Sequence, residues 1–243
     1  MLFNRHVGMT LGLLMMPLAL SAQELTDERI KELALQAIRE NPQIILEAVQ
    51  ILETEQANAQ AQAQTQVLQD ERDVLERDPN APVLGNPDGD VTVVEFFDYN
   101  CPFCRRAMPE VQGLLDGDKN VRLVYREWPI LGEGSVFAAR AALASREQGK
   151  YEEFHWALMG MQERAEEDSI MRIAAEIGLD VEKLRADMEA PEIEEHIATS
   201  NRLSQGLGFN GTPSFVIGDN LVPGIIEEEE LRSLVEDVRA SQD

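Results

Sequence analysis

The sequence predicts an α/β domain interrupted by a helical insertion and preceded by a separate helical segment. Three observations lead there. Val91–Phe97 is an apolar run that turns into Cys101-Pro-Phe-Cys104, with helical spacing to about residue 115. Val121–Glu127 is a second strand-like run, so the order strand, helix, strand implies a parallel pair joined by a right-handed crossover. Residues 135–207 carry only helical patterns before strand signals return at Ser214–Ile217.

Residues 1–22 have the pattern of a secretory signal. Arg5 and His6 make a short basic start, residues 7–20 are apolar, and Ala19, Ser21 and Ala22 are small enough for cleavage near residue 22. The apolar run falls short of the ~20 residues a spanning helix needs. So brief a signal points to the bacterial periplasm. The 243 residues carry 21 basic and 45 acidic side chains, a net charge of −24. Such a balance argues against nucleic acid or an anionic membrane as partner, and a well-solvated surface is sufficient reason for it.

Residues 23–78 read as a helical stalk and linker. Asp27 and Glu28 open a helix whose apolar stripe is Ile30, Leu33, Ala34, Ala37 and Ile38. Asn41-Pro42 breaks and restarts it. Ile38, Ile45 and Leu52 then recur at heptad spacing. Between residues 53 and 66, alanine alternates with asparagine and glutamine. These residues favour helix but give it no continuous apolar face, so the segment is expected to be a polar helix or flexible linker that packs on no core. An apolar stripe held away by such a spacer needs a partner. Copies of itself are the simplest choice, so a homo-oligomer through residues 25–75, a trimer by preference, is expected.

Residues 79–243 make up the second domain, with the insertion at about 135–207. Pro109 falls inside the helix after the cysteines and should kink it. Residues 218–220 form a hairpin turn, and residues 227–238 a final helix with Leu231, Leu234, Val235 and Val238 on one face. His155 and His196 lie on the insertion without ligand-spaced partners and read as core or surface residues.

Cys101 and Cys104 are the protein's two cysteines. Their spacing at a helix start puts both sulfurs within disulfide reach. Cys101 then sits at the helix N-terminus, where unpaired N–H groups favour a thiolate, and Pro102 suits the first helical position. Cys104, one turn deeper, should be more buried. Cys101 is therefore expected to attack and Cys104 to resolve the mixed disulfide. A structural zinc site needs about four ligands, and there is no second pair to supply them. An inert disulfide closing so short a loop would add little stability. Glu95 stands among Val93, Val94, Phe96 and Phe97, where burying a carboxylate is costly; an edge position reaching water is the alternative.

Two motifs, Glu95-Phe-Phe-Asp-Tyr-Asn-Cys-Pro-Phe-Cys104 and Gly211-Thr-Pro-Ser-Phe215, stand in this order across residues 81–238. They resemble the DsbA family, and the resemblance implies a thioredoxin fold with an inserted helical subdomain. It implies that Pro213 is a cis-proline beside the disulfide, that Thr212 neighbours the attacking sulfur, and that Glu95 exchanges a proton with Cys104. Pro102 and Phe103 are carried over as supporting residues. The segment from Asn41 to Glu53 and the Trp128-Pro-Ile-Leu-Gly132 stretch are similar to ScsC-type proteins (suppressor of copper sensitivity).

That likeness implies an exported thiol–disulfide oxidoreductase without a cofactor, most simply a protein disulfide isomerase. Client proteins with cysteines or disulfides, and a redox partner that reloads the pair, would be its partners. A DsbA-like dithiol oxidase is the alternative. A Cu(I)-binding protein of a copper-tolerance system, using two soft thiolates, is an alternative of another class, although no metal ligand is assigned.

Overall fold

The structure, a computed structural model, describes residues 26–242; the signal segment expected at residues 1–22 lies outside them. The described residues divide into two units, the first ending at Glu55 and the second beginning at Gln56.

In the first unit, helix α1 (Asp27–Glu40) starts at Thr26, whose hydroxyl accepts from the Arg29 N–H, and ends at Asn41. Helix α2 (Gln43–Asp70) begins after the Asn41-Pro42 break. No side chain of α1 is buried, and Ile30, Leu33, Ile45 and Leu52 stand exposed. The alanine and glutamine stretch is helical throughout, as its propensities favour.

The second unit is built on a five-stranded sheet in the order β1 (Val83–Gly85), β3 (Val121–Glu127), β2 (Val91–Phe97), β4 (Ser214–Ile217), β5 (Asn220–Pro223). Strands β2 and β3 are parallel; the other pairs are antiparallel. Helix α4 (Pro102–Gly117) makes the crossover, with Pro109 inside it. The insertion supplies α5 (Glu133–Ala144), α6 (Tyr151–Met159), α7 (Glu167–Glu176), α8 (Val181–Asp187) and α9 (Pro191–Gly206), and α10 (Glu228–Gln242) closes the fold.

Every residue of β2 is buried, as a central strand covered on both faces requires. Alternation sorts its side chains. Val91, Val93 and Phe97 enter a core with Cys104, Val111 and Leu114 of α4, Leu231 and Val235 of α10, and the insertion helices. Val94 and Phe96 enter a second core with Trp128, Leu203, Leu207 and Phe209. Glu95 therefore shares the face that holds the cysteines.

The second core also takes Leu68 from the end of α2 and Leu75 from α3 (Arg72–Arg77). Gly208, at φ +73°, leaves room there for the Gln64 side chain. Arginines fix this segment further. Arg126, wholly buried, pairs with Asp78 at 2.7 Å and donates to the carbonyls of Val74 and Leu75. Arg146 donates to the carbonyls of Pro79 and Asn80. The sheet-bearing unit consequently starts at Gln56, ahead of the boundary that composition suggested near residue 79. The alternating stretch offers no apolar stripe, but Leu68 and Leu75 beyond it cover a sheet face that would otherwise be wet. Leu75→Ala should lower the unfolding free energy by about 2–4 kcal/mol in urea denaturation. A loss under about 0.5 kcal/mol would show that α3 is not an integral part of this core.

Candidate active site

Cys101 is the N-cap of α4 and Pro102 takes the first helical position. That arrangement leaves the N–H groups of the first turn facing the Cys101 sulfur. Both cysteines are free thiols; 4% of Cys101 is exposed and none of Cys104. Phe103, between them, is 52% exposed.

The Thr212–Pro213 peptide bond is cis, and this segment faces the cysteines from the start of β4. The Cys101 thiol donates to the Thr212 carbonyl oxygen at 3.1 Å. Several groups pull the Cys101 pKa down to about 6. The Cys104 thiol is the largest, burial opposes it, and the Thr212 side chain and the N–H groups of Cys104 and Phe103 add to it. The N-terminal N–H groups act in the expected direction, but the leading donor is the other cysteine. Thr212→Val, which removes the hydroxyl, should move the alkylation midpoint of Cys101 upward; an unchanged midpoint would take that donor out of the site.

Cys104 behaves oppositely. Burial first, then its bond to Cys101 and the Glu95 charge, push its pKa well above the usual thiol value. Glu95 itself is 2% exposed, and burial, with the Cys101 charge behind it, raises its carboxyl to about 8. The edge position reaching water is thus not the one this carboxyl occupies. The three groups that the sequence set apart, one depressed thiol, one raised thiol and one raised carboxyl, come together on one side of β2 and α4.

Residues between Glu95 and Cys101 hold the loop, and sequence reasoning did not single them out. Asp98 accepts from the N–H groups of Asn100 at 2.7 Å, Ile130 at 2.8 Å and Leu131 at 2.9 Å. Asn100 bonds the Ser135 hydroxyl and both main-chain groups of Ala165. Tyr99 reaches Nδ1 of His155 at 3.1 Å, within a ring cluster that includes Tyr125 and Trp156. Burial holds the His155 pKa near 3, so this imidazole is neutral and structural. An Asp two residues before Asn100 is a turn-forming signal that was available in the sequence. The partners of Asn100 and Tyr99 lie in the insertion and carry no local signal.

A groove of about 530 Å³ opens beside the Asp98-anchored loop, lined by Pro129, Ile130, Val136 and Phe137. Among the described residues, no group of three or more His, Cys, Asp or Glu is placed to hold a metal ion.

Residues 92–236 match the DSBA-like thioredoxin domain family. The chain belongs to this family. A crystal structure of a thioredoxin-like oxidoreductase from Silicibacter pomeroyi DSS-3 is 70% identical, covers 70% of this chain and 98% of its own, and has a TM-score of 0.69. Proteus mirabilis ScsC in a transitional conformation is 26% identical, covers 91% of this chain and 98% of its own, and has a TM-score of 0.66. The Na(+)/H(+) antiporter NhaA 3 of Salinispora tropica is 31% identical over 161 residues, 65% of this chain. The DSBA-like chain spans about a quarter of that antiporter, 25% of its length. No helix among the described residues is long and apolar enough to cross a membrane.

Proposed function

We propose that this DSBA-like protein is an exported, periplasmic thiol–disulfide oxidoreductase that acts as a homo-oligomeric protein disulfide isomerase. The observation that carries the exchange chemistry is the opposed pair: Cys101 lowered to about 6 beside Cys104 held well above the usual thiol value. At neutral pH the first is mostly thiolate and the second is thiol. Isomerase action draws support from the first unit, which leaves a run of large apolar side chains exposed, Ile45 and Leu52 of the heptad series among them. Copies joined along this stripe would present several sites to one client and raise the effective concentration of thiolate.

In the proposed cycle the Cys101 thiolate attacks one sulfur of a client disulfide. That S–S bond breaks, a client thiolate leaves, and a mixed disulfide forms. Attack by another client thiolate on the client sulfur of this bond releases Cys101 as thiolate, with no net transfer of electrons. That is isomerisation. In the other branch Cys104 gives its proton to the Glu95 carboxylate and attacks Cys101. The products are the Cys101–Cys104 disulfide and a client reduced by two electrons. A carboxyl near pH 8 can both take and return that proton around neutrality. The groove at Ile130, Val136 and Phe137 suits an apolar client segment, and the Thr212–Pro213 edge suits an extended one.

A second reading, the dithiol oxidase, is favoured by the same low value at Cys101, because a stabilised thiolate stabilises the reduced form and makes the disulfide a stronger oxidant. Reactivation of scrambled, fully oxidised ribonuclease separates the two, comparing the mature chain with one that starts at Gln56. Activity in the longer chain alone would support both isomerase and stalk. If neither chain reactivates it, yet both oxidise reduced ribonuclease, the oxidase reading replaces the isomerase.

A further inference from the structure

Arg105 follows Cys104 on α4 and lies four residues after Cys101, so its side chain leaves the helix on the Cys101 side. Its own N–H bonds the Cys101 carbonyl at 3.2 Å. The guanidinium is fixed from two directions. Nε donates to the Tyr99 carbonyl at 3.1 Å, and one Nη donates to the carbonyls of Met161 at 2.8 Å and Glu163 at 3.0 Å. All three partners are neutral. The other Nη is buried and has no partner.

The surrounding charges are engaged elsewhere. The Asp98 carboxylate is taken up by the three main-chain N–H groups already described. Glu163 pairs with Arg172, and Arg164 pairs with Glu166 at 3.0 Å. Glu95, on β2, is buried and mostly protonated at neutral pH. Burial works against the charge on Arg105; Asp98 and the Cys101 thiolate favour it, and Arg164 opposes it. Asp98 counts first among the charges that favour the guanidinium but makes no hydrogen bond to it, so a half-buried cation with a spare N–H and only neutral hydrogen-bond partners gains further when a second anion forms nearby. The anion that comes and goes here is Cys101.

We infer that Arg105 is a positioning residue for the attacking thiolate: its guanidinium, tied to carbonyls on two sides and with one amino group unpaired, is the fixed positive charge against which Cys101 ionises. The inference rests on the reading of Cys101 as the attacking sulfur, and it assigns Arg105 a part in setting how oxidising the pair is. The same tie joins the active-site loop to the turn between α6 and α7, so charge and loop position are set by one side chain.

The test uses the full mature chain in its reduced form. Thiolate absorbance at 240 nm, followed against pH, reads Cys101 directly. Arg105→Gln should cut the thiolate fraction at pH 5 by about three- to tenfold, and move the equilibrium with glutathione toward the disulfide by a similar factor. Arg105→Lys, which keeps a cation but not the three-carbonyl tie, should stay within about twofold of the wild type. In the unaltered protein, the Arg105 Nε–H resonance should titrate with the Cys101 midpoint, and should lose that response in Cys101→Ala. This measurement needs no change at residue 105 and decides the matter even if the Gln variant does not fold. Equal shifts in the Gln and Lys variants, an unmoved midpoint in a folded Gln variant, or an Arg105 resonance indifferent to Cys101 would overturn the inference. Failure of the ribonuclease assay with these couplings intact would instead remove the exchange reading and leave the charge coupling standing.

Discussion

Cys101→Ser is expected to reduce thiol–disulfide exchange by on the order of a thousandfold or more, whereas Cys104→Ser should leave attack intact and accumulate mixed disulfides with clients. The asymmetry follows from ionisation. At pH 7 a thiol whose pKa is about 6 is about nine-tenths thiolate, and a hydroxyl in its place is not ionised at all. Cys104, raised well above the ordinary value, is not a competing nucleophile until a mixed disulfide makes the neighbouring Cys101 sulfur electrophilic and its own proton is removed. Limited alkylation at pH 7 should therefore label Cys101 alone, with a rate that falls as pH drops through about 6. The depressed value also has a consequence for stability. A group lowered from 9.0 to about 6 on folding stabilises the reduced protein fully above pH 9, and that contribution is lost as pH falls through about 6. The disulfide form has no such group. The reduced protein should thus lose stability relative to the oxidised one over this window, as paired denaturation curves would show. Labelling of Cys104 at a rate equal to Cys101 would contradict the assignment of roles.

How much of this was legible beforehand depended on whether the signal was local. The strand–Cys-x-x-Cys–helix order is a local pattern, and so are the hairpin and the helical insertion. All of them stand close to where periodicity and turn residues put them. Glu95 was conspicuous because a charged residue in an apolar strand breaks the pattern around it. The Ala/Gln stretch was half legible: its propensity specified helix, but the burial of Leu68 and Leu75 depends on a sheet face formed by residues beyond the spacer, and no window of sequence contains both. Val83–Gly85, between Pro82 and Asn86-Pro87, carries little strand signal of its own and becomes strand β1 by pairing with β3. In the sequence nothing distinguishes Arg105 from Arg106 beside it. Its partners, the carbonyls of Met161 and Glu163, belong to the insertion and have no side-chain signature at all. In general the reacting groups showed in the sequence because their chemistry is in the side chain. The groups that hold them did not, because much of that work is done by main-chain atoms brought in from elsewhere.

Glu95→Gln is expected to make the protein more stable at alkaline pH and a slower enzyme. The carboxyl ionises near its ordinary 4.5 in the unfolded chain and near 8 in the folded one, chiefly because folding removes it from water. Below pH 4.5 it is protonated in both states and costs nothing. Between 4.5 and 8 the folded state binds the extra proton, so stability falls as pH rises, and above 8 the accumulated loss reaches roughly 4–5 kcal/mol. Glutamine does not titrate. The variant and the parent should therefore have similar pH slopes below 4.5 and diverge progressively up to about 8, with the variant the more stable. Parallel curves across that window would mean that the carboxyl reaches water in solution. The Cys101 thiolate adds to the shift, so the divergence should be smaller in the disulfide form. Kinetics gives the complementary reading. Glutamine cannot take the Cys104 proton, so resolution of a mixed disulfide by Cys104 should slow by about a hundredfold near neutral pH, while first attack by Cys101 stays close to the parent rate. Stability gained together with resolution lost would identify a carboxylate retained for proton transfer at the expense of folding free energy. Stability gained with resolution unchanged would leave proton transfer to another group, and Glu95 as an uncompensated burial beside the cysteines.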